Sequence, residues 1–166
     1  LDNSGHGTGV AMAAAGVRVK SPKAEIQGVA PAAFLGVYKI FVGPDGGSSN
    51  TAIATKALDD AAADGMDVLN ISWGFLPQIR PDIDPLSPAV ARAASLGIAV
   101  IKSNGNSGPA RMTGSTPTVG PNGITVGAAW TDRIFASGVR VNGGASIYAI
   151  PGDGPAPEVP LSAPLK

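Results

Sequence analysis

Cysteine is absent from the 166 residues, which removes disulfide frameworks, thiolate zinc sites and cysteine nucleophiles together. Its absence leaves the compartment open, since cysteine-free chains suit oxidising and reducing surroundings alike. Charge is scarce as well, with 14% of residues charged against about 25% in an average soluble domain. The 12 basic and 12 acidic residues cancel. Neither a nucleic acid nor an anionic membrane therefore finds the basic patch it requires. No run approaches the roughly 18 apolar residues of a membrane span, and aromatics make up only 5%. A single histidine, His6, is present, so any imidazole chemistry falls on it.

What the chain has in excess is glycine and proline, 23 and 15 residues, where average usage would be about 12% of positions together. The glycines stand at the ends of apolar segments and do not repeat, which disfavours disorder and collagen. Val10 to Ala15 is apolar throughout and predicts a helix buried on all sides, stopped by Gly16. Phe34 to Phe41 is β-branched and aromatic and predicts a strand, followed by a glycine-rich loop from Gly43 to Ser49. Thr51 to Asp64 places Ile53, Ala54, Ala57, Leu58, Ala61 and Ala62 at helical spacing, closed by Gly65. A short strand over Asp67 to Ser72 follows. Ser87-Pro88 reads as N-cap and first-turn proline of a helix that Gly97 ends. Ile98 to Ile101 and Gly123 to Ala128 predict two further strands.

Strands that alternate with helices, and are apolar throughout, indicate a parallel sheet covered on both faces. The expected class is α/β: three layers, a mainly parallel sheet with helices on both faces, incomplete. Residues 1–150 read as one partial domain. Residues 151–166, with five prolines, read as a linker or the start of an inserted domain. The chain opens on Leu1 in mid-motif without a signal peptide, which reads as a piece of a longer protein.

Ligands of open parallel sheets sit beyond the carboxyl ends of the strands. Three polar, glycine-flanked segments fall there or at a bordering helix start: Gly5-His6-Gly7-Thr8-Gly9, Ser72-Trp73-Gly74, and Ser103 to Pro109. A lone histidine is more often a surface or core residue. Here flanking glycines expose the ring, and the start of a helix favours the neutral imidazole that a general base needs. Asn106 by itself is turn chemistry. Directly after a buried strand, its amide can also point into the crevice and stabilise a developing oxyanion. The glycine-rich stretch around His6 lacks the lysine of a phosphate loop and the full dinucleotide fingerprint. Asp45, Asp59, Asp60 and Asp64 show no metal-ligand spacing, and Trp73 fits a core position or a pocket wall equally well.

Together these segments resemble the subtilisin-like serine proteases, the subtilases. Asn3 to Ala11 resembles the block around the catalytic histidine, and Gly28-Val29-Ala30-Pro31 with Val37-Tyr38-Lys39-Ile40 the strand block after it. Asp67 to Gly74 is similar to the substrate-lining strand. Gly105 to Pro109 matches the oxyanion block, and Ile124 to Ala128 the following strand. The resemblance implies His6 as general base and Asn106 as oxyanion donor. It implies Gly46 and Gly47 as one backbone rail for an extended polypeptide substrate, with Ser72, Trp73 and Gly74 as the other. Ser103, Asn104 and Gly105 would border the main specificity pocket. Gly9 stands where most members have a second histidine, and Asn104 where alanine is usual.

The resemblance implies no cofactor. It allows calcium, for which no site is identifiable, and it implies secretion or a cell-surface location. The family's aspartate block has no counterpart here, and Asp2 lies too near His6 to supply it. No Gly-Thr-Ser-Met-Ala-type block supplies the nucleophile, since Ser115 has the wrong neighbours and precedes the last strand. Ser146-Ile147-Tyr148 and Pro160 to Leu165 resemble the lead-in to an inserted protease-associated domain. The chain is thus expected to hold two of four catalytic contributors, with the remainder of its own catalytic domain as partner. The alternatives are a non-catalytic α/β binding module, such as a flavodoxin-like or nucleotide-binding domain, and a protease-like interaction domain without its triad.

Overall fold

Among the described residues, the apolar segments and their glycine stops fold into eleven short elements. The computed structural model describes residues 2–21, 24–43, 47–117, 119–129, 136–141 and 144–150. The proline-rich 151–166 and Gly46 lie outside the described residues. The chain divides into two units, Leu1–Ala128 and Ala129–Lys166.

In the first unit the order is α1 (His6–Ala15), β1 (Val19–Lys20), β2 (Glu25–Ile26), α2 (Thr51–Ala63), β3 (Val68–Ile71), α3 (Ser87–Ser95), β4 (Ala99–Ser103), a 3-10 turn (Gly120–Asn122) and β5 (Ile124–Val126). β1 and β2 make a two-stranded antiparallel pair. β3, β4 and β5 form a parallel sheet in that order, with Val68 opposite Ala99 and Ile101 opposite Ile124. In the second unit β6 (Ser137–Arg140) and β7 (Ser146–Ala149) pair antiparallel, Ser137 opposite Ala149.

Both helices that feed the sheet stop by the same device. The N–H of Gly65 donates to the Ala62 carbonyl and that of Met66 to Ala61; Gly97 and Ile98 do the same to Ala94 and Ala93. The reversed pair of bonds requires a left-handed residue after the last turn, supplied by glycines at φ 76° and 88°. Each chain then enters β3 or β4 within a few residues.

The core lies between this sheet and α2 and α3: Leu58, Ala61, Leu69, Ile71, Ala89, Val90, Ala93, Ile98, Val100 and Val119. Burial alternates along β3 and β4, so one face is packed. On the other, Val68 is 60% exposed and Ile124 59%. The α/β class and parallel sheet stand as expected, and the incompleteness takes the form of this open face.

Several local expectations are corrected. Helix α1 begins at His6 and has no buried residue; residues 28–30, bonded to the carbonyls of Ala13, Ala14 and Gly16, cover only its carboxyl end. Residues 34–41 form no strand; a strand exists only where a neighbour completes its ladder, and this segment has none in any sheet. The N-cap of α3 is Leu86, one residue before Ser87. No side chain caps this helix; the buried Asp84 braces the turn before it, its carboxylate accepting the Leu86 N–H at 3.0 Å and the Ser87 hydroxyl at 3.1 Å and its main-chain carbonyl the Ser87 N–H at 3.2 Å.

Candidate functional site

His6 is the first residue of α1, and the turn that presents it is fastened by Asp2. One carboxylate oxygen accepts the N–H groups of Ser4 at 3.1 Å and Gly5 at 3.0 Å. The other accepts the Thr8 N–H at 2.7 Å and the Thr8 hydroxyl at 2.8 Å. The His6 N–H goes to the Ser4 hydroxyl at 3.3 Å. The first and third donors of the helix start, His6 and Thr8, are thereby engaged by side chains. These bonds, the Thr8 N–H foremost, hold the Asp2 carboxyl well below the usual carboxylate range. Asp2 thus serves the backbone around His6, a role that sequence reading did not assign; an aspartate six residues before a helical Thr N–H was its only signal.

His6 borders a cavity of about 500 Å³. Asp2 and residues of α1, including Val10 and Ala11, line one side, and Val37 to Phe41 another. Ser72 and Trp73, just beyond the carboxyl end of β3, also line it. Trp73 proves to be both of its alternatives. It packs against the core cluster and lines the cavity, with its ring edge-on to Phe75 at 5.7 Å. β3 is an edge of its sheet. The residues that continue this edge strand and the non-ladder segment 37–41 therefore both border the cavity.

The second group of sequence candidates is tied to the same strand end from the other side. Gly74 lies against Ser115: a β-carbon there would stand 2.5 Å from Ser115 Oγ and 2.7 Å from the Thr116 carbonyl. Gly105, at φ 99°, leaves its own β position 3.0 Å from the same hydroxyl. The Ser115 N–H donates to the Asn104 carbonyl at 3.1 Å, and Phe75 and Thr116 exchange two backbone bonds of 2.9 Å. The Asn104 N–H extends the β4–β5 pairing to the Val126 carbonyl at 2.8 Å. Ser103 to Gly105 and Ser72 to Gly74 are thus held side by side through Ser115.

Asn106 follows on an exposed loop. It is not among the described residues lining the His6 cavity; it connects to that cavity through Gly105, Ser115, Gly74 and Trp73 in turn. Gly47 is exposed beside the Val42–Ser48 bridge, remote in sequence from both groups. Asp59, Asp60 and Asp64 engage Arg92, Lys56 and the Tyr38 hydroxyl. Among the described residues, no group of three or more His, Cys, Asp or Glu could hold a metal ion. No helix among them is long and apolar enough to cross a membrane.

Comparison with known proteins bears on the same residues. The profile of the subtilase family, Peptidase S8, matches residues 1–152. Subtilisin-like protease SBT4.12 of Arabidopsis thaliana is 38% identical over 153 residues, covering 88% of this chain and 20% of the relative. Subtilisin-like protease SBT2.3 of the same plant is 35% identical over 168 residues, with 92% and 19% covered. The chain therefore spans about a fifth of the length of these curated relatives. Among solved structures, sphericase is similar with a TM-score of 0.50 and 30% identity, over 75% of this chain and 37% of that one.

Proposed function

Because the chain belongs to the subtilase family, we propose that it forms part of the catalytic domain of a serine endopeptidase. In this reading His6 is the general base. A serine Oγ attacks the peptide carbonyl and passes its proton to His6, which returns it to the leaving amine. Water then resolves the acyl-enzyme by the same relay. The Asn106 carboxamide donates to the oxyanion of both tetrahedral intermediates. The substrate lies extended, as an added strand, between Gly46-Gly47 and Ser72-Trp73-Gly74, and its side chain at the scissile bond faces Ser103, Asn104 and Gly105.

The observation that carries the reading is the cavity beside His6, which Ser72 and Trp73 share. A substrate strand running past Ser72 to Gly74 would bring its carbonyl within reach of α1's first residue. The aspartate and serine of the full constellation match nothing in these 166 residues, so the reading assigns them to further segments of the catalytic domain. Ser72 and Trp73, which continue the edge strand β3, and segment 37–41 share the lining of this cavity, which fits an additional extended strand there. Secretion or a cell-surface location belongs to the same proposal.

By itself the chain is expected to have no triad-dependent turnover. A fluorophosphonate probe tests this: the 166-residue polypeptide remains unlabelled. Stoichiometric labelling at an internal serine, Ser115 in particular, would overturn the assignment of the nucleophile to another segment.

A further inference from the structure

Lys102 is the one buried lysine among the described residues, 1% exposed, near the carboxyl end of β4 and opposite Ile71 on β3 and Thr125 on β5. Taking an ammonium out of water is costly unless its donors are met. Two of its three are: Nζ donates to the Ser103 carbonyl and to Ser115 Oγ, the latter at 2.7 Å. Both acceptors belong to the segments described above. Ser103 lies on the wall that continues to Gly105, and Ser115 closes the interval between Gly74 and Gly105. The floor between the two walls is therefore a hydroxyl with a cation directly behind it. Burial pushes the Lys102 amine below the usual lysine value, with Asp84 opposing that shift.

We infer that Lys102, acting through Ser115, makes the interval between Ser72–Gly74 and Ser103–Gly105 selective for an acidic side chain, so that the peptide taken there carries Asp or Glu. The inference rests on the reading that these two segments flank a bound peptide's side chain. A carboxylate seated over Ser115 meets the Lys102 ammonium through one hydroxyl, in a field that water screens little and the nearby Asp84 carboxylate offsets only in part. The Ser115 hydroxyl now directs its proton to the Asn104 carbonyl over a long 3.4 Å, a bond weak enough to be exchanged for a charge-assisted one to a carboxylate. The remaining ammonium N–H strengthens the same field. An apolar side chain in that place would cover the cation further and return nothing.

The test uses the 166-residue chain and four fluorescent peptides identical except for a last residue of Asp, Glu, Leu or Phe, titrated by anisotropy. The acidic peptides are expected to bind about tenfold more tightly than the Leu and Phe peptides, a preference that moderate salt weakens. Lys102→Met, matched in length and uncharged, is expected to bring the ratio to about one while changing Leu-peptide binding less than about twofold. Should that variant lose its circular dichroism, Lys102→Arg and Ser115→Ala decide. The first keeps the acidic preference, and the second reduces it several-fold. Equal or apolar-favouring binding by the unaltered chain overturns the inference and leaves the peptide site standing. A preference untouched by Lys102→Met, or by Ser115→Ala, overturns it as well. If none of the four peptides binds, the peptide-site reading fails, and the inference with it.

Discussion

The Asp2 carboxylate accepts both the backbone N–H and the hydroxyl of Thr8, at 2.7 and 2.8 Å, and so closes the turn from which His6 projects. Placement of the only histidine thus depends on a side chain four residues away that does not belong to the helix.

Asp2→Asn should loosen this turn, seen as faster amide exchange at Thr8 and Gly5. The pH dependence has a definite sign. The carboxyl is depressed in the folded chain, so its contribution is present above the unfolded value of about 4 and fades as pH falls below it. Thr8 amide protection, corrected for intrinsic exchange, should fall on acidification in the unaltered chain and lose that dependence in Asp2→Asn.

Two glycines should respond in opposite directions to alanine. At Gly28 a β-carbon would meet backbone at the end of α1, 2.7 Å from the Met12 carbonyl oxygen and 2.9 Å from the Ala15 carbonyl carbon. Gly28→Ala should destabilise the chain by about 1–3 kcal/mol in urea unfolding. Gly9, inside α1, has nothing within 4 Å of its β position. Gly9→Ala should stabilise by about 0.5–1 kcal/mol through lower unfolded-state entropy and better helix propensity.

Asp84, which braces the turn before α3, is 2% exposed. Asp84→Ala leaves the Leu86 N–H and the Ser87 hydroxyl without that acceptor, which should cost about 1–3 kcal/mol of stability by thermal or urea melts. Ser87→Ala, which removes the residue that sequence alone favours as the cap, should cost less.

A nucleotide- or flavin-binding module is the rival reading of the glycine-rich stretch at His6. Neither ATP nor FMN should raise the melting temperature of the chain, because the Gly5, His6 and Thr8 N–H groups are engaged by Asp2 and Ser4 and the Asp2 carboxylate stands where a phosphate would lie. A concentration-dependent rise would point to such a module.

Legibility in the sequence followed the range of the interactions. The ends of α2 and α3 were readable because Gly65 and Gly97 sit where a left-handed backbone is needed, and glycine advertises that need locally. His6 and Ser72–Trp73 were readable as motifs, and the structure brings these two groups to one cavity. Residues 34–41 misled because β-branched content predicts fitness for a sheet without supplying the adjacent strand. Val10 to Ala15 misled likewise, since apolar residues cannot report whether anything covers them. Ser87 misled as a cap because its hydroxyl is drawn back to Asp84 on the preceding turn, and the helix starts at Ser87 itself. The Lys102–Ser115 bond was invisible because it joins a strand end to a loop 13 residues on, a distance over which no periodicity operates.

The central claim is that His6 and Asn106 serve one bound peptide. It is tested most directly by nuclear magnetic resonance of the chain with a peptide carrying a nitroxide at its centre. The account predicts that the His6 ring and Asn106 side-chain amide signals both broaden as the peptide is added, together with Trp73. Broadening at one of the pair while the other stays sharp at saturation would contradict it.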